Sequence, residues 1–122
     1  MSCILIVEDE GLFAMELTWA IEDAGYVVVG PEKSVAATIS TLARFKVDLA
    51  LLDIGLNGET VFPVAKTLGA TGVPFIFITG HTSAALPSEY VGRPLLQKPC
   101  QTPAVIALIR RTLGETLPQM PP

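Results

Sequence analysis

Glu8, Asp9, Glu10, Asp53, Thr79 and Lys98 are the side chains of this sequence whose types and surroundings could do chemistry, because each stands directly after an apolar run. CILIV precedes the three acids, LALL precedes Asp53, PFIFI precedes Thr79 and LLQ precedes Lys98. A carboxylate ends a buried strand poorly unless something nearby needs its charge. Carboxylates brought together are also unstable alone, since two unit charges ~4 Å apart repel by roughly 4 kcal/mol at an effective dielectric of 20. A hard divalent cation relieves that repulsion, and Mg²⁺ (or Mn²⁺) suits a site with few carboxylates and several waters. The lysine can pair with one carboxylate and with an arriving anion, while the threonine hydroxyl can donate to an oxyanion. A carboxylate in that company is equipped to attack phosphorus. Singly, each residue has a plainer reading. Asp53 before Gly55 could be a turn residue, Thr79 an ordinary strand threonine, Lys98 a surface lysine, and the acids a solvated helix start favoured by the macrodipole. Their coincidence at four strand ends favours the joint reading.

The elements that must position these groups follow from the pattern. Runs at Cys3–Val7, 27–30, Leu49–Asp53, 74–79 and Leu95–Gln97 carry apolar residues at consecutive positions, which favours a parallel sheet covered on both faces. A first helix over 11–24 would face inward with Phe13, Leu17, Ala20, Ile21 and Ala24, and Gly25 would cap it. Ser34 can cap a second, with Val35, Ile39, Leu42 and Ala43 inward. A third starts near Glu59 or Thr60, with Val61, Ala65 and Leu68 inward and Pro63 in its first turn. The last has Thr102 as N-cap, Pro103 at its first position and a stripe of Val105, Ile106, Ile109 and Leu113. The stretch from Gly80 to Pro94, broken by Pro87 and Gly92, has room for one short helix at most, about 83–86. This alternation predicts a doubly wound α/β domain. Ligands in such domains gather at the carboxyl ends of the strands, where the candidate residues stand.

A chain of 122 residues, half of them hydrophobic and only 16% charged, suits one domain with a sizeable core. We expect it to span 1–116, with 117–122 (LPQMPP) as a tail. The net charge of −4 argues against direct binding to nucleic acid or an anionic membrane. With no signal peptide and no long apolar span to read, a cytoplasmic, soluble protein is expected. Cys3 opens the first strand and Cys100 follows the fifth, so both are expected as free thiols at opposite ends of the sheet.

The acidic pair in LIVEDE, the aspartate in LLDIGLNG, the hydroxyl in FITG and the lysine in QKP, in this order, resemble the response-regulator receiver domain of two-component signalling over residues 4–113. The resemblance implies a flavodoxin-like, five-stranded parallel sheet of order 2-1-3-4-5 with a weak or short fourth helix. It makes Asp53 the phosphoacceptor and gives Glu8, Asp9, Asp53 and the carbonyl of Gly55 to Mg²⁺ or Mn²⁺. It brings Thr79 and Lys98 to the phosphoryl group, with a cis Lys98–Pro99 bond. A histidine kinase or histidine phosphotransferase would donate the phosphoryl group, and an unidentified downstream protein would read it. The chain would then be no enzyme beyond phosphotransfer and dephosphorylation on itself. The FITG stretch also resembles a receiver subgroup with an F-A-T-G-U-Y motif, although Ile78 and Thr82 depart from it. Leu95 stands where many receivers carry an aromatic switch, which shifts the expected relay to a change of order over 80–94. Tyr90 would be a packing anchor there or an ordinary surface or core tyrosine.

Three other readings compete. A phosphatase of the haloacid-dehalogenase type would carry DxD after the first strand, where this chain has Asp9-Glu10-Gly11. A nucleotide-binding domain would need a glycine-rich loop where VEDEG stands. A degenerate receiver acting only as an interaction module would lack site residues, and here all are present.

Overall fold

The computed structural model describes residues 1–80 and 86–115. Strand β1 (Cys3–Val7) leads into helix α1 (Gly11–Asp23), then β2 (Val27–Glu32), α2 (Val35–Arg44) and β3 (Leu49–Asp53). A small hairpin of β4 (Gly55–Leu56) and β5 (Glu59–Thr60) precedes α3 (Phe62–Ala70) and β6 (Phe75–Thr79). A 3₁₀ turn at Ser88–Tyr90, β7 (Leu95–Gln97) and α4 (Thr102–Thr112) complete the order. The five long strands form one sheet in the order β2-β1-β3-β6-β7, all pairs parallel. This is the flavodoxin-like arrangement expected from the sequence.

Side chains alternate across the sheet and divide its core in two. Leu5, Val7, Ala50, Leu52, Phe75 and Phe77 face α3, whose Val64, Ala65 and Leu68 cover them. Ile4, Ile6, Leu49, Leu51, Ile76 and Ile78 face the other way, under Leu17 and Ile21 of α1 and Val105 and Ile109 of α4. All five residues of β3 and of β6 are buried, so these strands are covered on both faces.

Several local expectations are corrected. Helix α3 begins at Phe62 rather than near Glu59, because residues 55–60 are spent in the hairpin. Asn57 (φ 46°) and Gly58 (φ 84°) form its tip, the positive-φ pair that tight hairpins favour. On α2, Thr38 and Thr41 are the buried residues, while Ile39 and Ala43 are exposed. The threonines are tolerated inside because Thr38 Oγ1 donates to the Ser34 carbonyl (2.7 Å) and Thr41 Oγ1 to Glu32 Oε1 (2.8 Å). Ser34 caps this helix as expected, its Oγ accepting from the Ala37 amide. On α1, Ala14 is buried, while Phe13 and Ala20 are only partly so. Gln101, not Thr102, is the N-cap of α4. The short helix expected about 83–86 falls almost wholly on residues outside those described, as does the tail. Cys3 and Cys100 are free, and Lys98–Pro99 is cis.

Strand β2 runs two residues beyond its apolar run. Its pairing with β1 slips between Leu5 and Val7, so that Val7 pairs with Glu32. Gly30 makes the slip with φ +92°, in space where a Cβ would lie 2.8 Å from the Glu32 nitrogen and 2.9 Å from the Ile6 oxygen. Gly30→Ala is therefore expected to cost about 1–3 kcal/mol of stability. Gly11→Ala, with nothing within 4 Å of the added carbon and no φ constraint, should leave the urea midpoint nearly unchanged. Equal midpoints for the two variants would refute this account of β2.

Candidate functional site

Parallel strands end on one edge, and there the sequence-derived residues meet. Asp53 is the last residue of β3, only 7% exposed, and Glu8 just beyond β1 is 1% exposed. Lys98, following β7, extends its ammonium to within 2.9 Å of Glu8 Oε1, 3.2 Å of Asp53 Oδ2 and 3.5 Å of Glu10 Oε2. One lysine thus gathers three carboxylates from two strand ends. Carboxylate oxygens of Glu8, Asp9 and Asp53 lie within 4.8 Å of one another.

The backbone fixes each acid in place. The Glu8 amide donates to the Glu32 carbonyl (2.9 Å), which the slipped β2 brings alongside. Glu8 Oε2 accepts from the Glu10 amide at 3.1 Å. Asp9 Oδ2 accepts from the Asn57 amide at 2.9 Å, so the hairpin tip holds the second acid. Asp53 Oδ1 takes a long contact, 3.4 Å, from the Gly55 amide. The contact seen at Gly55 is thus through its amide, whereas the sequence resemblance implied a role for its carbonyl. Thr79 ends β6, is 2% exposed, and its carbonyl accepts from the Lys98 amide at 2.8 Å.

The electrostatics follow from burial and proximity. Burial raises the Glu8 carboxyl to about 7, reinforced by its closeness to Asp53 and opposed by Lys98. For Lys98, burial works against the charged form, but the Glu8 and Asp53 carboxylates outweigh it and hold the ammonium above its ordinary range. The Cys100 thiol beside Lys98 is pushed up by burial, which disfavours the reactive thiolate. Glu8 Oε1 is buried and ion-paired with the Lys98 ammonium at 2.9 Å, in a geometry short of a hydrogen bond. Three carboxylates converging within 4.8 Å, two of them buried, are a donor set that fits a hard cation.

The acids, Asp53, Thr79 and Lys98 singled out in the sequence stand at one edge of the sheet, but two supports beside them carry little signal in the sequence. The Asn57 amide was legible as an Asn-Gly pair between short strands. The Glu32 carbonyl was signalled only by the Gly30-Pro31 break in the valine run.

A parallel sheet of this order, with acids and a lysine at its carboxyl edge, defines a receiver of two-component signalling. The family model for the response regulator receiver domain matches residues 4–110, and the chain belongs to that family. Among curated proteins, the chain is 32% identical over 120 residues to the phyllosphere-induced regulator PhyR of Methylorubrum extorquens, covering 90% of this chain but 43% of that protein. Among solved structures, SdrG of Sphingomonas melonis Fr1 is 37% identical with a TM-score of 0.81, covering 93% of this chain and 96% of that one. The anti-anti-sigma factor PhyR of Bartonella quintana is 30% identical with a TM-score of 0.78, covering 93% of this chain and 48% of that one. The chain therefore spans less than half the length of both PhyR proteins.

The raised Glu8 carboxyl has a pH signature. The folded chain holds there, up to about 7, a proton that a carboxyl of ordinary value 4.5 has already released. The stability from this group is therefore fully present below 4.5 and is lost as pH rises through 7. Lys98 titrates above that window. In a chelator, wild type should lose more melting temperature than Glu8→Gln between about pH 5 and pH 8. Parallel curves for the two proteins would show that burial does not perturb Glu8.

Proposed function

We propose that this chain is a phosphoacceptor receiver, taking a phosphoryl group onto Asp53 from a phosphohistidine donor and switching a protein partner thereby. The observation that carries the reading is the Asp53 carboxylate at a buried strand end with the Lys98 ammonium 3.2 Å away. An Asp53 oxygen forms the bond to phosphorus as the donor's P–N bond breaks, and the released imidazole keeps the electron pair and takes a proton. Lys98 moves its ammonium toward the phosphoryl oxygens, and the Thr79 hydroxyl donates to one of them. Glu8, Asp9, Asp53 and the carbonyl of Gly55 would hold Mg²⁺ or Mn²⁺, which neutralises charge on the transferring group. The acidic cluster and the buried Glu8 carboxylate within it support that assignment. The domain spans 1–116 on this reading.

The donor is a histidine kinase or histidine phosphotransferase. Likeness to a relative named an anti-anti-sigma factor favours a downstream partner in sigma-factor control. Among the described residues no helix is long and apolar enough to cross a membrane, which accords with a cytoplasmic site of action beside such a donor.

The test is labelling with acetyl phosphate and Mg²⁺. Wild type should form an acid-stable, base-labile adduct mapping to Asp53, and Asp53→Asn should form none while keeping its fold. Equal labelling of Asp53→Asn would sink the assignment. The cation has its own signature: at ten times its dissociation constant, a ligand of the native state adds roughly 1.4 kcal/mol. For a domain of this size that is about 4 °C of melting temperature. The shift should vanish when Glu8→Gln and Asp9→Asn are combined; an unchanged shift in that double variant would move the cation elsewhere.

A further inference from the structure

Phe13 lies in the first turn of α1 and is only partly buried, beside the stripe of Ala14, Leu17 and Ile21 that packs on the sheet. The Lys98 ammonium stands over its ring, 4.9 Å from the centroid. An open cavity of about 350 Å³ adjoins them, lined by Glu10, Phe13, Glu16, Lys98, Pro99 and Cys100. The ring is thus at the rim of the acidic site, touching the one cation that the described residues bring into it.

The other partners of that ammonium are the three carboxylates of Glu8, Asp53 and Glu10. An arriving cation or phosphoryl group acts on these same carboxylates, so their hold on the lysine changes when the site is loaded. A lysine carries a compact charge on a flexible four-carbon stem, and such a stem follows its counterions. The Phe13 ring is a partner of another kind. It attracts the ammonium through its quadrupole within about 6 Å, it has no charge to neutralise, and it does not compete for the phosphoryl group. Helix α1 is itself fixed by the burial of Leu17 and Ile21.

We propose that Phe13 is a positioning residue for Lys98, holding the ammonium at the mouth of the site while its anionic partners are engaged elsewhere. The inference rests on the role given above to Lys98 in phosphoryl transfer to Asp53. The plain alternative is packing, since Phe13 also touches the core under α1 and α4. For packing alone, an aliphatic side chain of similar size serves as well as a ring.

Phenylalanines with one, two and three ring fluorines, placed at residue 13 of the full chain, separate the two. Fluorination drains the ring quadrupole with little change of size. The rate of Asp53 labelling by acetyl phosphate with Mg²⁺ should fall stepwise along the series, by roughly three- to tenfold in total. Phe13→Tyr should keep the wild-type rate, and Phe13→Leu should fall as far as the trifluoro ring. The melting temperature should decline along the same series, and that decline should disappear in a Lys98→Met background. A flat labelling series, or a melting decline that persists without Lys98, overturns the proposal. A wild type that takes no label at Asp53 overturns the phosphoacceptor reading instead, and the melting series still decides whether the ring holds the ammonium.

Discussion

Like charges held together against their repulsion are the constraint on which this structure turns. Glu8, Asp9 and Asp53 have oxygens within 4.8 Å of one another, an arrangement that water and chain entropy would disperse in a flexible loop. Here the acids are fastened to the ends of strands that are among the most deeply buried parts of the molecule. Ile4, Leu5, Ile6, Leu49, Leu51 and Leu52 have no exposed surface, so separating Glu8 from Asp53 means disturbing both layers of the core. Hydrophobic burial of roughly 25 cal/mol per Å² is the force opposing a repulsion of a few kcal/mol per close pair. Lys98 offsets only part of that repulsion. Glu8 remains raised to about 7 despite the ammonium beside it, so the site retains an appetite for further positive charge.

The fold was legible because a parallel sheet writes its strands as continuous apolar runs, and the strand ends then marked which candidate residues the fold gathers at one edge. Asp53 and Glu8 stand out as candidates because a buried strand ending in a carboxylate is anomalous on physical grounds. Other features escaped for definite reasons. The α2 stripe was misjudged since Thr38 and Thr41 are polar by type but spend their hydroxyls on local oxygens, which periodicity of apolar residues cannot reveal. The hairpin at 55–60 is two residues a side, too short for any alternation to show, and only its Asn-Gly tip marked it. Phe13 reads as core in the sequence because an aromatic residue at helical spacing usually is; its contact with Lys98 joins residues 85 positions apart and leaves no local trace.

Alternation across the sheet explains why the site has two sides. Leu49 and Leu51 face α1 and α4, and two residues on, Asp53 follows the same parity; Ile4 and Ile6 carry it on to Glu8. Leu96 belongs to the same layer, which sends Lys98 toward α1 and brings it to Phe13. Thr79 has the opposite parity. It follows Phe75 and Phe77 in the layer that α3 covers.

That layer holds the aromatic cluster of the molecule. The Tyr90 ring stacks on Phe62 with centroids 5.6 Å apart and meets Phe77 edge-on at 5.4 Å. Tyr90 is therefore a core anchor for the segment before β7, and it stands against the strand that ends at Thr79. Leu95 brings no ring to the edge strand, and the ring contacts made by Tyr90 lie instead with α3 and β6. On the phosphoacceptor reading, the two parities divide the labour. Asp53, Glu8, Lys98 and Phe13 handle charge on the α1 side, while Thr79 carries any displacement to the α3 side through Phe77. Close-packed rings do not yield gradually, because sliding one past another forfeits contact on both. A shift at Thr79 would thus be either absorbed within β6 or passed whole to Tyr90 and the chain it anchors, which gives a small event at a carboxylate a route to the surface.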